Sequence, residues 1–397
     1  RFDGKTRLLG AVIFLLQRGL AAGITIYAPA IVLCTVLHWP LWLTILFMGV
    51  IVLIYTVAGG NEAVNVTQKH QLLVIFVGMA AAFGLLLVRL TNDVSLGQAF
   101  AVAGSMGRLD GVDFRFDLRE RYTVWSGILG GVFLSLAYFG TDQSQVQRYL
   151  SGSSIRASRL GLMFNALLKI PMQFFILLLG VFLFVYYQFE QPPLYFNQAV
   201  LHRAAEGESA ARLNELAGEY RAAHVRKQAA ILRWLQAGDE SQTAVARERM
   251  MAEMERAAAI RSAAIDLLRT ADPQINAEDY DYVFITFVLE QLPRGLIGLL
   301  MAAFFAAALS SLSAELSALG ETTTVDIYGH FRPLKDKARH DVSVSRRFTL
   351  LWGVVAVGFA LFANMQENLI EAVNMVGSIF YGVALGIFVV AFFVRWV

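Results

Sequence analysis

The sequence predicts an all-α polytopic membrane protein, and three observations carry that prediction. Of the 397 residues, 57% are hydrophobic and only 16% charged, whereas charged residues make up roughly a quarter of a soluble globular chain. Apolar windows of about 20 residues, the length that crosses ~30 Å of hydrocarbon at ~1.5 Å per residue, recur along the chain. Lys and Arg gather in alternate short connections between those windows, the asymmetry that sets orientation in a bilayer.

The expected spans cover residues 9–37, 41–57, 72–90, 125–149, 160–187, 292–319, 348–363 and 369–396. The first follows Arg1, Lys5 and Arg7 and ends before His38-Trp-Pro40. It carries Arg18 at membrane depth, which needs a counter-charge or a wet path; the sequence does not name the partner. The second and third flank Lys69. The fourth is interrupted at Gly140 and followed by Thr141, Asp142 and Gln143. Those residues sustain an apolar helix poorly but expose carbonyl and side-chain oxygens well, and such a break faces a cavity. The fifth holds Lys169, an intramembrane charge that is either a site residue or one whose long stem snorkels to the surface.

Between the fifth and sixth spans, residues 193–281 change character to a dense mix of Arg, Glu and Ala. Leu213, Leu216, Tyr220 and Val225 recur there at helical intervals, so the stretch reads as an extramembrane helical insert dividing membrane segments 1–192 and 282–397. Ala237-Gly-Asp-Glu-Ser241 splits it into two long helices joined as a hairpin. A solvated spacer is the expected role, with a lid or partner-docking role as the alternative. The sixth span is an apolar helix of small residues carrying adjacent hydroxyls, Ser310 and Ser311. An unpaired polar group in hydrocarbon costs several kcal/mol, so these bond backbone, contact another helix or bind a dehydrated cation. The seventh and eighth spans are joined by 364–368, which lacks Lys and Arg.

With Arg1, Lys5 and Arg7 cytoplasmic, strict alternation also places Lys69, Arg148, Arg156, Arg159, Arg332, Lys335, Lys337, Arg339, Arg346, Arg347 and Arg395 on that side. The insert then falls on the opposite side. The stretch 89–121 does carry several Arg there, balanced by Asp93, Asp110, Asp113, Asp117 and Glu120. The net charge of +2 decides nothing about nucleic acid, because placement matters more than the sum. A single cysteine, Cys34, rules out an intrachain disulfide and a thiol-rich metal site. The sequence shows no P-loop, His/Cys metal cluster or nucleophile constellation, so an enzyme is not expected. With no initiator Met and no signal-peptide pattern, the chain reads as a segment beginning within a longer protein.

Three segments together resemble the sodium:solute symporter family, the group of sodium-coupled sugar, iodide, proline and sialic-acid carriers. Tyr27-Ala-Pro-Ala30, Tyr55-Thr-Val-Ala-Gly-Gly60 and Ala63-Val64 resemble its third and fourth core helices and the turn after them. Thr141-Asp-Gln-Ser-Gln-Val-Gln-Arg-Tyr-Leu150 resembles its broken sixth core helix, and the helix with Ala307, Ser310 and Ser311 resembles its eighth. The resemblance implies a LeuT-like inverted-repeat fold with ion and solute at the midplane. It implies a partial one, running from the third core helix to the tenth and lacking the first two.

The resemblance assigns a coupling Na+ to the Ala307 carbonyl and the Ser310 and Ser311 hydroxyls, hard oxygens that can replace a water shell. The alternative is that the serines bond the carbonyl four residues back or pack as small residues. The resemblance further implies solute contacts at Ser135, Tyr138, Asp142, Gln143, Lys169 and Asn374. Tyr138 as core packing, and Asp142 as a holder of local backbone, stay open. Two departures stand out. Gln68 occupies the neighbourhood where most members carry an aspartate on the inner sodium path. Glu315 lies one turn beyond Ser311, on the same face. It is expected to supply charge to a second cation, to act as a protonatable group, or to pair with Arg18 or Lys169.

The expected activity is sodium-coupled symport of a small polar solute, a sugar, polyol or organic anion, by alternating access in a bacterial inner membrane. Lys169 with Thr141, Asp142 and Gln143 favours a sugar, whereas Val373 beside Asn374, where sugar carriers use a glutamine, weighs against it. The expected partners are sodium, the solute and the lipid bilayer, with no nucleic acid. A symporter-like sensory domain of a signalling protein is the alternative; a passive channel is disfavoured because no filter motif is evident.

Overall fold

The computed structural model describes residues 3–37, 39–58, 61–111, 113–117, 119–120, 123–150, 154–207, 209–273, 275–331, 339–362 and 369–394. Among them there is no strand. The side chains of Gln68, Lys69, Arg148, Arg339 and Asn374, and residues Arg332, Lys335, Lys337 and Arg395, lie outside the described residues.

In chain order the helices are α1 (Gly4–Leu37), α2 (Leu41–Ala58), α3 (Asn61–Thr91), α4 (Leu96–Ser105), α5 (Val124–Gly140), α6 (Gln143–Leu150) and α7 (Ile155–Phe189). The insert contributes α8 (Gln198–Ala205), α9 (Ala210–Leu235) and α10 (Glu240–Ala271). A short turn leads to α11 (Val283–Gln291) and α12 (Arg294–Thr322). A π-helical turn (Thr323–Tyr328), α13 (Gly329–Phe331), α14 (Arg339–Phe362) and α15 (Leu369–Phe393) complete the order. Seven of the expected spans each correspond to one helix and the interrupted fourth to two, α5 and α6, while α4 and α11 are short helices that hydropathy does not separate from their surroundings.

Helices α1, α2, α12 and α14 pack on one another around Leu15, Ile26, Met48, Val52, Leu312 and Leu316. Small residues let these backbones approach closely, the packing that serves where hydrophobic burial offers helices no advantage over lipid. A Cβ on Gly23 would lie 2.5 Å from Phe359 and 3.0 Å from the Ala356 carbonyl, and one on Gly320 would lie 2.9 Å from the Ser345 carbonyl. Hydroxyls inside these helices turn back on their own backbone: Thr25 donates to Ala21 O at 3.0 Å and Thr35 to Ile31 O at 2.9 Å.

A second core joins α3, α4, α7 and α11 through Leu86, Leu90, Val102, Phe182 and Phe287. The insert is a hairpin, α9 against α10, and its inner face enters that second core through Ile231 and Met250, both 0% exposed. Nearer the chain crossings, Arg261 pairs with Asp279 at 2.7 Å, and Asp279 also accepts from the Phe196 amide at 2.6 Å. The hairpin's outer face is solvated, with pairs such as Arg212–Glu215, which contribute little. A solvated spacer therefore describes only that outer face.

Candidate functional site

The helix break between α5 and α6 comes from a sequence that withdraws apolar side chains and supplies substitutes for the lost backbone bonds. Thr141 ends α5 with its amide bonded to Ala137 O at 2.9 Å and its hydroxyl to the same carbonyl at 2.8 Å. Tyr149, from α6, reaches back to donate to Phe139 O at 2.7 Å. Asp142 starts α6: its Oδ1 accepts from the Ser144 amide at 2.9 Å and the Ser144 hydroxyl at 2.7 Å, satisfying amide groups a helix start leaves open.

The other oxygen, Asp142 Oδ2, pairs with Arg18 Nη2. Arg18 Nη1 donates to Glu315 Oε1 at 3.3 Å, so one guanidinium from α1 joins the break to α12. All three groups are enclosed, Arg18 5%, Asp142 4% and Glu315 9% exposed. The guanidinium also lies 5.6 Å from the centre of the Tyr138 ring, within cation–π range. Ionised, the trio holds one more carboxylate than cation, an excess of negative charge in a low-dielectric setting where charge interactions are strong. Beside it is a cavity of about 30 Å³ whose walls include Phe14, Gln17, Ala137, Thr141, Asp142 and Tyr381. That is room for about one water.

Ser310 is 1% exposed and Ser311 half-buried on α12, one turn before Glu315. In a continuous helix the Ala307 carbonyl accepts from the amide of residue 311 and keeps a second lone pair, so Ala307, Ser310 and Ser311 can present three hard oxygens along one edge. Among the described residues no group of three or more His, Cys, Asp or Glu gathers as a transition-metal site. Of the other expected solute contacts, Tyr138 lies beside the trio. Ser135, Gln143 and Lys169 are exposed on α5, α6 and α7, with the Lys169 ammonium 6.0 Å from the Phe139 ring. Gln17 and Tyr381 also line the cavity, and neither is among the expected site residues. An amide next to Arg18 in an apolar span was the one available hint.

At the insert side of the molecule a larger cavity, about 340 Å³, lies between the insert base and the ends of α1, α2 and α14, with Tyr27, Trp42, Tyr195, Arg203 and Asp281 among its walls. On α9, Lys227 is 6% exposed with its ammonium 3.5 Å from Tyr187 O, and His224 Nε2 lies 3.3 Å from Phe189 O. Both therefore meet the carbonyl end of α7, where positive charge is favoured. Burial nevertheless pushes the Lys227 ammonium down to about 8 from 10.5 and holds the His224 imidazole below its usual range.

The sequence profile of the sodium:solute symporter family matches residues 1–214 and 258–397. The rabbit (Oryctolagus cuniculus) sodium-dependent multivitamin transporter is 26% identical over 397 residues, 99% of this chain and 49% of that protein. The human (Homo sapiens) sodium/iodide cotransporter is 34% identical over 42% of this chain and 25% of its own length. The human sodium-coupled monocarboxylate transporter 1 is 36% identical over 42% of this chain and 27% of its own. The chain thus spans about half the length of the longest-matching of these relatives. A solved structure of a Na+-coupled sialic acid symporter, substrate-bound and outward-open, superposes with a TM-score of 0.63 at 20% identity, covering 100% of this chain and 65% of that one. The fold is the LeuT-like one, shared across that whole alignment.

Proposed function

We propose that this chain, which belongs to the sodium:solute symporter family, is the core of a secondary transporter that uses sodium entry to carry a small anionic solute. The observation that carries this reading is the continuity of α12: hydroxyl oxygens at buried Ser310 and half-buried Ser311, then Glu315, then Arg18 and the helix break at Asp142. A monovalent cation at the serines gains from the trio's excess negative charge, and the break beside the small cavity gives the solute its place. Anions are favoured over sugars because the relatives' names include iodide and monocarboxylate, and the structural neighbour carries sialic acid. Arg18 and Lys169 are the cations that would meet such a solute. The cavity holds about one water, so the solute enters only as the packing around the break opens, which alternating access requires.

In the same reading the start of α1 faces the cytoplasm and the insert faces outward. Sodium-dependent uptake by the full-length protein in proteoliposomes, tested against iodide, lactate, sialic acid and glucose, is the measurement that checks it. Uptake of an anion that persists undiminished with sodium replaced by choline would overturn the reading.

A further inference from the structure

We propose that Arg18 is the positioning residue that transmits cation occupancy on α12 to the solute side of the break. The inference rests on the symport reading above and adds to it the route between the two sites. Arg18 and Glu315 belong to the same interlocked unit: α1 and α12 share the core around Ile26, Leu312 and Leu316, and α1 is pressed against α14 at Gly19 and Gly23. Their relative position is therefore fixed. Asp142 belongs to the α5–α6 connection, and α5 packs chiefly on α15, while α6 meets α12, α5 and α7 only lightly. Because α15 in turn packs on α1, only α6 is lightly held, and the Arg18–Asp142 pair is a buried polar tie between the packed helices and the start of α6.

The electrostatics gives that tie a direction. A buried guanidinium stripped of all acids is strongly destabilised. Because Glu315 stays beside Arg18, the bond to Asp142 can open without stranding the charge. A cation at Ser310 and Ser311 sits about 6 Å along the helix axis from Glu315, one turn away, and satisfies part of that carboxylate. Arg18 then interacts more strongly with whatever negative charge lies at the break, either Asp142 or an anionic solute entering the cavity that Asp142 lines. Cation binding therefore tightens the break and raises affinity for an anion, and by reciprocity the anion raises affinity for the cation.

The test uses sodium alone as the probe, on the full-length protein with Cys34→Ala and a reporter cysteine, Thr141→Cys, at the end of α5. Sodium is expected to slow maleimide labelling of the reporter by on the order of fivefold, the low end of usual coupling factors. Asp142→Asn and Glu315→Gln each leave Arg18 one acid, so each is expected to fold, and each is expected to abolish the sodium effect on labelling. Binding of 22Na+ is expected to persist in Asp142→Asn. The all-neutral variant Arg18→Met/Asp142→Asn/Glu315→Gln, which buries no charge, is expected to fold and to label at a sodium-independent rate.

A sodium effect that survives Asp142→Asn or the all-neutral variant overturns the inference. So does loss of 22Na+ binding in Asp142→Asn, which would make Asp142 an ion ligand in its own right. Failure of the parent protein to bind 22Na+ at all would instead bring down the symport reading, and the inference with it.

Discussion

Ser310→Ala tests the ion site most directly. A sodium ion takes about five or six oxygens, and a single one of them, a hydroxyl dipole facing a charge, is worth about 1.5–3 kcal/mol. Ser310 is 1% exposed, so water has no route to replace the lost oxygen and the full loss should register. That corresponds to a rise in the half-saturating sodium concentration of about tenfold to over a hundredfold. Ser311 is half-buried, so water can stand in for its hydroxyl and Ser311→Ala should cost less. The assay is uptake by the full-length protein in proteoliposomes, titrating sodium against choline at constant ionic strength. Maximal rate at saturating sodium should be largely retained. The competing account is visible elsewhere in the fold: Thr323 and Thr324 donate to the carbonyls four residues back, Leu319 and Gly320, each at 2.7 Å. If Ser310 and Ser311 did only that, their removal would alter stability slightly and sodium dependence not at all. A Ser310→Ala/Ser311→Ala double variant with the parent's sodium curve would refute the assignment.

Other outcomes follow from packing and from burial of charge. Gly320→Ala would drive a Cβ to 2.2 Å from Thr349 Oγ1 and 2.9 Å from Ser345 O, costing about 1–3 kcal/mol by overpacking. Thermal unfolding in detergent should show a lowered midpoint, with Thr349→Ala recovering only part because the carbonyl clash remains. The folded state holds the Lys227 ammonium at about 8 against 10.5, so its burial penalises folding below pH 8, by about 3 kcal/mol at most. The penalty lifts as pH rises from about 8 to 10.5, because there the unfolded chain binds the extra proton. Protection of the α7 terminus from hydrogen exchange, corrected for intrinsic rates, should increase over that window. Lys227→Met should be insensitive there, and an unchanged slope in that variant would count against the desolvated-lysine account.

Membrane character, the helix order and the break at Gly140 were legible because each depends on local composition: a bilayer demands long apolar runs, and a break needs residues that can replace backbone bonds. Pairing of Glu315 with Arg18 is one of the alternatives the sequence offers and is the one present in the structure, and charge counting narrows the partners of Arg18 sharply. Within the expected spans the only acids are Asp142, Glu315 and Glu371, and a buried guanidinium needs one of them. What no counting supplies is that two acids share it, since that depends on how α1, the break and α12 cross. Lys169 shows a different limit: it is exposed on α7, and window hydropathy does not say which side of a helix its neighbours cover.

The insert bears on mechanism through its attachment rather than its charge. Its composition suggested independence, but Ile231 and Met250 are as buried as any residue in the membrane helices, in the core of α3, α7 and α11. Lys227 and His224 secure the same side by meeting the last carbonyls of α7. The hairpin is therefore tied to the second core and not to the unit of α1, α2, α12 and α14. The larger cavity lies across that division, with Tyr195 and Arg203 from the insert region on one wall and Tyr27 and Trp42 from α1 and α2 on the other. The two cores are joined beside it, because Ile31 of α1 and Leu296, Ile297 and Leu300 of α12 enter the second core and α12 packs along α3; the insert is therefore packed with α7 at one edge of a continuous helix assembly. A charge-rich segment that looks like a solvated spacer is in this fold one wall of a cavity whose opposite wall belongs to the helices that pack with Ser310 and Ser311 of α12.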